Sequence, residues 1–186
     1  MNEAGTTIKG KDFSSRSVRE THEGIRFERC NFSEAELGGA VFEDCEFVGC
    51  NLSLTKVEAC QFLGVLFRDC KLAGVDFSRC VRLPLDVSFV ESKVANCNFS
   101  GLPLLKIKFQ GCEVIDCLFE QADLREADFS GSKMTGTRFG GADLRAADFS
   151  LARDYAFDLA ANRVKGVRVA LPEAVKLLAF FDIDVK

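Results

Sequence analysis

Tryptophan is absent from this 186-residue chain, and tyrosine and histidine occur once each. The one histidine, His22, has no partner imidazole for a zinc site, and nothing in the sequence around it suggests the acceptor geometry of a general base. Apolar runs stop after a handful of residues, far short of the ~18 that a membrane-spanning helix needs. The opening MNEAGTTIKGKDF is polar and lacks the apolar stretch of a signal peptide, so a cytoplasmic protein without membrane association is expected. A basic excess is also missing. The net charge of -4 has the wrong sign for neutralising phosphates, which argues against direct binding of nucleic acid. Neither a C-x-x-C pair, a nucleophile elbow nor a glycine-rich phosphate loop occurs. No catalytic residue, metal ligand or cofactor is assigned, and the chain is read as not an enzyme.

Phenylalanine and cysteine are abundant instead, at 18 and 9 residues. Large apolar residues recur at every fifth position from Phe27 through Phe32, Leu37, Phe42 and Phe47 to Phe77. After a slip of two residues the series resumes at Phe89 and runs to Phe149. Two places before the large one stands a second apolar or small residue, such as Cys30, Ala35, Cys45 or Ala122, and the remaining places are mostly polar. A period of five matches neither the 3.6 of a helix nor the 2.0 of a strand. It suits a coil that turns a corner every five residues, with four corners to a 20-residue turn. The near-identical segments ADLREADFS and ADLRAADFS lie 20 residues apart. Phe27, Phe47, Phe67, Phe89, Phe109, Phe129 and Phe149 then form one structural core column, with a single 22-residue step. The two extra residues are expected to bulge within Val81–Asp86, near Pro84.

The expected fold is an all-β solenoid, a quadrilateral β-helix with a short C-terminal α-helix. Coils spaced ~4.8 Å apart give six turns a length of roughly 29 Å and, with side chains, a width of about 20 Å. Three regions are expected: an N-terminal cap over 1–24, the repeat helix over 25–170 with its register break near 81–88, and a terminal helix and tail over 171–186. The sequence ALPEAVKLLAFFDI puts Pro172 in a first helical turn. Its apolar residues Leu171, Ala174, Val175, Leu177, Leu178 and Phe181 occupy more than one face. One face can cover the open end of the coil, and the other is expected to join an identical subunit.

All nine cysteines follow the five-residue period, which marks them as reduced core residues and not as metal or redox groups. His22 is expected on the surface of the cap, and Ser100, Ser130 and Ser150 in turns. Residues 25–151 carry 14 basic against 19 acidic side chains, a net of -5, while 152–186 carry 6 against 5, or +1. Asp123 should stack on Asp143, and Asp128 on Asp148. Their repulsion needs compensation, which Arg125 and Arg145, two places later, can supply along with turn amides. As candidates for binding, these four aspartates would copy the phosphate rows of duplex DNA.

The period and the runs CNFSEAEL, CEFVGCNLS and ADLREADFS resemble the pentapeptide-repeat proteins, whose fold is a right-handed quadrilateral β-helix. The stretch CNLSLTKVEACQFLGVLFRDCKLAGVDFSR, the single register break and the terminal ALPEAVKLLAFFDI are similar to the topoisomerase-protection branch, which includes albicidin-resistance and quinolone-resistance proteins. The resemblance implies a homodimer joined through the C-terminal helix. It further implies binding to DNA gyrase, with topoisomerase IV as a second target, by a DNA mimic that relieves poisoning. A two-residue break leaves no room for the extended loops that some quinolone-resistance members carry. The alternative is a non-catalytic interaction scaffold with an unrelated partner.

Overall fold

The computed structural model describes residues 5–81, 85–181 and 183. Most pentapeptides contribute a short extended segment centred on the large residue and then a corner, where the second residue after the centre takes a positive φ; at Phe77–Arg79 a 3-10 turn replaces it. Glycine fills this corner at Gly49 (φ 61°) and Gly64 (φ 64°), while Arg29, Asp44 and Leu54 adopt the same left-handed conformation. The corner limits strand length. The strands are β1 (Thr7–Lys9), β2 (Thr21–Glu23), β3 (Arg26–Glu28), β4 (Val41–Glu43), β5 (Glu46–Val48), β6 (Gln61–Leu63), β7 (Val65–Arg68), β8 (Lys71–Ala73), β9 (Val87–Val90), β10 (Lys93–Ala95), β11 (Lys108–Gln110) and β12 (Glu113–Ile115).

These strands pair in parallel, each with the equivalent strand one coil away. One wall is the six-stranded sheet β1-β3-β5-β7-β9-β11, and two others contain β2-β4-β6 and β8-β10-β12. Isolated bridges such as Asp76↔Asn98↔Leu118↔Arg138 make the fourth. The first wall forms a continuous ladder through Thr7, Arg26, Glu46, Leu66, Ser88, Lys108, Asp128, Asp148 and Arg168. Its eight steps, at ~4.8 Å each, span about 38 Å, longer than the expected 29 Å because both ends continue the coil.

The phenylalanine column forms as the spacing requires. Phe47, Phe67, Phe89 and Phe109 stack with centroids 5.0, 5.2 and 4.6 Å apart. The 22-residue step leaves the column in register, since Phe67 pairs with Phe89. Phe77 likewise stacks on Phe99 at 4.8 Å. Of the expected bulge, Val81, Leu85 and Asp86 are among the described residues and 82–84 lie outside them. Val81 and Asp86 donate backbone N–H groups to Cys60 and Phe62 of the preceding coil, which anchors both flanks.

All nine cysteines are buried free thiols. They also hydrogen-bond. The Cys50 thiol donates to the Phe27 carbonyl at 3.3 Å and accepts from the Cys30 N–H at 3.4 Å. Ser132 fills the same slot on a later coil, donating to the Phe109 carbonyl at 2.6 Å and accepting from the Cys112 N–H at 2.9 Å. The small slot thus serves corner backbone groups that would otherwise be buried without partners.

At the N-terminus, the segment read as a cap over 1–24 includes a further coil of the same ladder, with β1 on β3 and β2 on β4. Phe13 and Val18 are buried in it. His22 is not a free surface residue. Its ring occupies the column of Phe42 and Phe62, stacked on Phe42 at 5.0 Å, because β2 pairs His22 directly with Phe42.

At the C-terminus the repeat phase fails at Asp154, and Tyr155 and Phe157 bury their rings over Phe149, each at 5.1 Å. Val169, in phase by sequence, is 36% exposed, since no further coil stacks on it. The expected helix is one α-turn, α1 (Glu173–Lys176), tightening into a 3-10 turn over Leu177–Phe181. Leu177 is buried against the core at 3% exposure.

Candidate functional site

The two aspartate rows form as the repeat dictates: Asp123 bridges to Asp143 and Asp128 to Asp148, one coil apart. Their charges are compensated at short range. Arg125 folds back on Asp123 with Nε and Nη2 at 2.8 and 2.7 Å, and Arg145 holds Asp143 the same way at 2.8 and 2.6 Å. These guanidiniums keep both carboxyls below the usual carboxylate range. Arg163 of the next coil approaches Asp143 at 3.7 Å, and Arg168 reaches Asp148 at 2.8 Å. Burial pushes the Asp128 carboxyl up, but bonds from Ser130 and Gln110 outweigh it and the net shift is downward. The Gln110 amide donates to Asp128 at 2.6 Å.

Each aspartate also serves the turn that follows it. Backbone N–H groups two residues later donate to Asp128 from Ser130 at 2.9 Å and to Asp148 from Ser150 at 2.8 Å. Such bonds replace a backbone turn. The carboxylates are therefore partly withdrawn from water: the side chain of Asp143 is 14% exposed and that of Asp148 19%. Beside them Arg125, Arg145 and Arg163 line a shallow groove with Asp123 and Asp143. The result is a surface on which Asp123, Asp143 and Asp148 are paired with arginines and Asp128 is held by neutral donors.

Opposite charges on neighbouring coils occur elsewhere along the rod. Lys9 meets Glu28 at 2.9 Å, Lys56 meets Glu36 at 2.8 Å, and Lys93 meets Glu113 at 3.3 Å. Arg26 and Glu46 form another such pair. Exposed pairs of this kind contribute ~0–1 kcal/mol each.

The six residues expected at a subunit contact divide. Leu171 is 79% exposed and Phe181 46%, and Ala174, Val175 and Leu178 are half-buried. Leu177 faces inward and plugs the coil. Exposed Leu151, Phe180 and Ile183 belong to the same terminal region and were not among the six. Leu151 has a signal in the sequence, being apolar at a corner where Gly111 and Gly131 precede it on earlier coils. Among the described residues no group of three or more histidine, cysteine or acidic side chains is placed to hold a metal. No helix among them is long and apolar enough to cross a membrane.

The model of the pentapeptide repeat region matches residues 23–82, and that of pentapeptide repeats in eight copies matches 112–150. No curated protein sequence matches the chain. Among solved structures, trypsin-treated QnrB1, a plasmid-mediated fluoroquinolone resistance protein, is 22% identical over 98% of both chains, with a TM-score of 0.50. HetL, a pentapeptide repeat protein involved in heterocyst differentiation regulation in the cyanobacterium Nostoc, is 10% identical over 87% of this chain and 81% of its own, with a TM-score of 0.48. The five-residue period, the stacked phenylalanine columns and both repeat matches agree: this chain belongs to the pentapeptide-repeat family.

Proposed function

We propose that the protein is a non-catalytic binding rod for a bacterial type II topoisomerase, DNA gyrase first and topoisomerase IV second, which it protects from a poison. The observation that carries this reading is the end-to-end likeness to QnrB1, over 98% of both chains. A rod about 20 Å wide, close to the diameter of duplex DNA, is the shape such a mimic needs. Two protomers joined at their C-terminal ends, through Leu171, Leu178 and Phe181 with Phe180 and Ile183, would extend it and give it the two-fold symmetry of the enzyme. On this reading the protein acts in the cytoplasm, without cofactor or metal.

Gyrase supercoiling, titrated with the folded protein in the presence and absence of a quinolone, tests the proposal. Inhibition or rescue supports it, and indifference over a wide concentration range rejects it. Asp128→Asn with Asp148→Asn tests the acidic rows, because asparagine keeps the acceptor that each turn uses and removes only the charge. Unchanged potency of this variant would assign those carboxylates to the turns.

The second reading is a scaffold with another partner, and the arginine pairing of Asp123, Asp143 and Asp148 favours it. Charges neutralised within the rod offer little to a cationic groove. A partner captured through the scaffold would leave supercoiling unaffected at every ratio.

A further inference from the structure

We infer that the first coil, residues 5–24, is an acid-sensitive latch whose closure depends on His22 remaining neutral. His22 occupies a column filled by phenylalanine on the next two coils, Phe42 and Phe62. Its ring is stacked on Phe42 at 5.0 Å and meets the Phe27 edge at 5.5 Å. Its Nε2 is buried and, among the described residues, has no hydrogen-bond partner. A neutral imidazole can present this nitrogen as an unprotonated edge, at the cost of one unmet acceptor. An imidazolium must place an N–H and its charge there, against hydrocarbon.

The neighbouring charges do not rescue that state. Glu20 favours the imidazolium and Lys11 opposes it, but burial is the largest influence and holds the His22 pKa below its ordinary value. Glu23 on β2 and Glu43 on β4 pair with each other in register, one place beyond the His22–Phe42 pair, where alternation sends side chains to the outer face. Arg26 of β3 is engaged with Glu46, and Glu28 with Lys9. The pH dependence follows from linkage. A base whose folded pKa is depressed leaves the opened state binding more protons, so closure is favoured at neutral pH and weakens as pH falls through the ordinary histidine range. An unperturbed histidine titrates near ~6.5, above the ~4 of an unperturbed carboxyl group, so the interval from ~7 to ~5.5 is the one in which a histidine-dependent change is sought.

Opening would be local. In a solenoid each coil contacts only its neighbours, and among the described residues the first coil pairs with one, β1 on β3 and β2 on β4. The bonds at stake include Gly10 N–H to Glu28, Phe13 to Asn31, Val18 to Glu36 and Gly24 to Glu43, at 2.7–2.9 Å. Their loss would uncover the edges of β3 and β4 together with the rings of Phe27 and Phe42. Acid would therefore move the parallel-sheet edge inward from β1 and β2 to β3 and β4 and uncover buried rings beside it, a surface able to take up another strand.

Amide hydrogen exchange tests this on the full chain at pH 7.0 and 5.5, with rates corrected for intrinsic chemistry. The reporters are Phe13, Val18 and Gly24, with mid-rod Val114 and Phe119 as internal references. Wild type should lose protection in the first coil at pH 5.5 while the references hold. His22→Phe, which continues the phenylalanine column, should keep protection at both values. Because the chain has one histidine, its ring-proton resonance gives an independent titration, and the midpoint should lie below that of the unfolded chain. Equal protection of the wild-type coil at the two pH values would overturn the inference. So would an ordinary histidine midpoint, or the same acid response in the phenylalanine variant.

Discussion

Replacing Phe109 by alanine removes a mid-rod ring that touches four others. The ring is fully buried, with parallel stacks to Phe89 at 4.6 Å and Phe129 at 5.4 Å. Phe99 and Phe119 meet it edge-on at 5.5 and 5.6 Å. Deleting a buried phenylalanine side chain typically costs ~3–5 kcal/mol. Each aromatic pair adds ~0.5–1.5 kcal/mol beyond area, and four pairs are broken here at once, which places the cost at the upper end, about 5 kcal/mol. The site cannot collapse easily, because its neighbours are held in register by the backbone ladders above and below. At the first coil, Phe13→Ala should cost less, about 3 kcal/mol, since its stack on Phe32 at 4.5 Å and its edge contact with Phe27 at 6.1 Å lie on one side of it. Exposed Glu120 provides the reference, with alanine there expected within ~0.5 kcal/mol of wild type. Urea unfolding followed by circular dichroism reads all three as midpoints. Should Phe109→Ala and Glu120→Ala unfold at the same concentration, the stacked column is not what holds the coils together.

Cysteine at the small slot acts through its hydrogen bonds, so Cys50→Ser should stay close to wild type in a denaturation midpoint. Cys50→Ala, which strands the Phe27 carbonyl and the Cys30 N–H, should lose ~1–3 kcal/mol. Burial pushes the Cys112 thiol up to about 11 and the Cys80 thiol up to about 12. Alkylation of these two thiols at pH 8 should therefore wait for unfolding, and their rapid native labelling, located by mass spectrometry, would contradict the assigned slots. At the C-terminus the inward and outward residues should separate: Leu177→Asp puts a carboxylate into the buried core and lowers the melting temperature, whereas Phe180→Glu leaves stability unchanged and yields monomers in light scattering. A dimer that persists in Phe180→Glu would locate the subunit contact elsewhere.

The inward half of this molecule is written plainly in the sequence, because coil stacking repeats one steric demand every five residues. Even the break after Phe77 is legible, since Phe89 resumes the column two residues late. The ends are harder to read. Val18 and His22 lie four residues apart, and the steps from Ile8, Phe13 and Val18 to the next coil are 19 residues, so the first coil falls out of the arithmetic that identifies the rest. Tyr155 and Phe157 are missed for a related reason. Once Asp154 occupies the next large-residue position, two rings from neighbouring places fill the space, and no periodic rule anticipates them. The split of the terminal residues, with Leu177 inward and Leu171 outward, depends on how a short helix tilts over the last coil. That tilt is set by tertiary contact and not by local pattern.

The aspartates of the last coils can be understood by comparison with the first ones. The position before the large residue is Asn31, Asn51 and Asn98 on earlier coils, and each side-chain oxygen accepts the N–H of Ser33, Ser53 or Ser100 at 3.0–3.1 Å. Asp128 and Asp148 make the same bond to Ser130 and Ser150. The turn needs an oxygen at that place, and either residue supplies it, so the charge itself is an additional feature. Part of its use is visible. The last named strand ends at Ile115, and beyond it the coils are joined by isolated bridges, across which Arg163 pairs with Asp143 and Arg168 with Asp148. Here ion pairs between successive coils supplement a thinner ladder, each at the modest value of an exposed pair. A partner that recognises Asp123, Asp143 or Asp148 must compete with arginines already in place. Shape along the rod, and the apolar surface at its C-terminal end, therefore have more to offer a partner than net charge does.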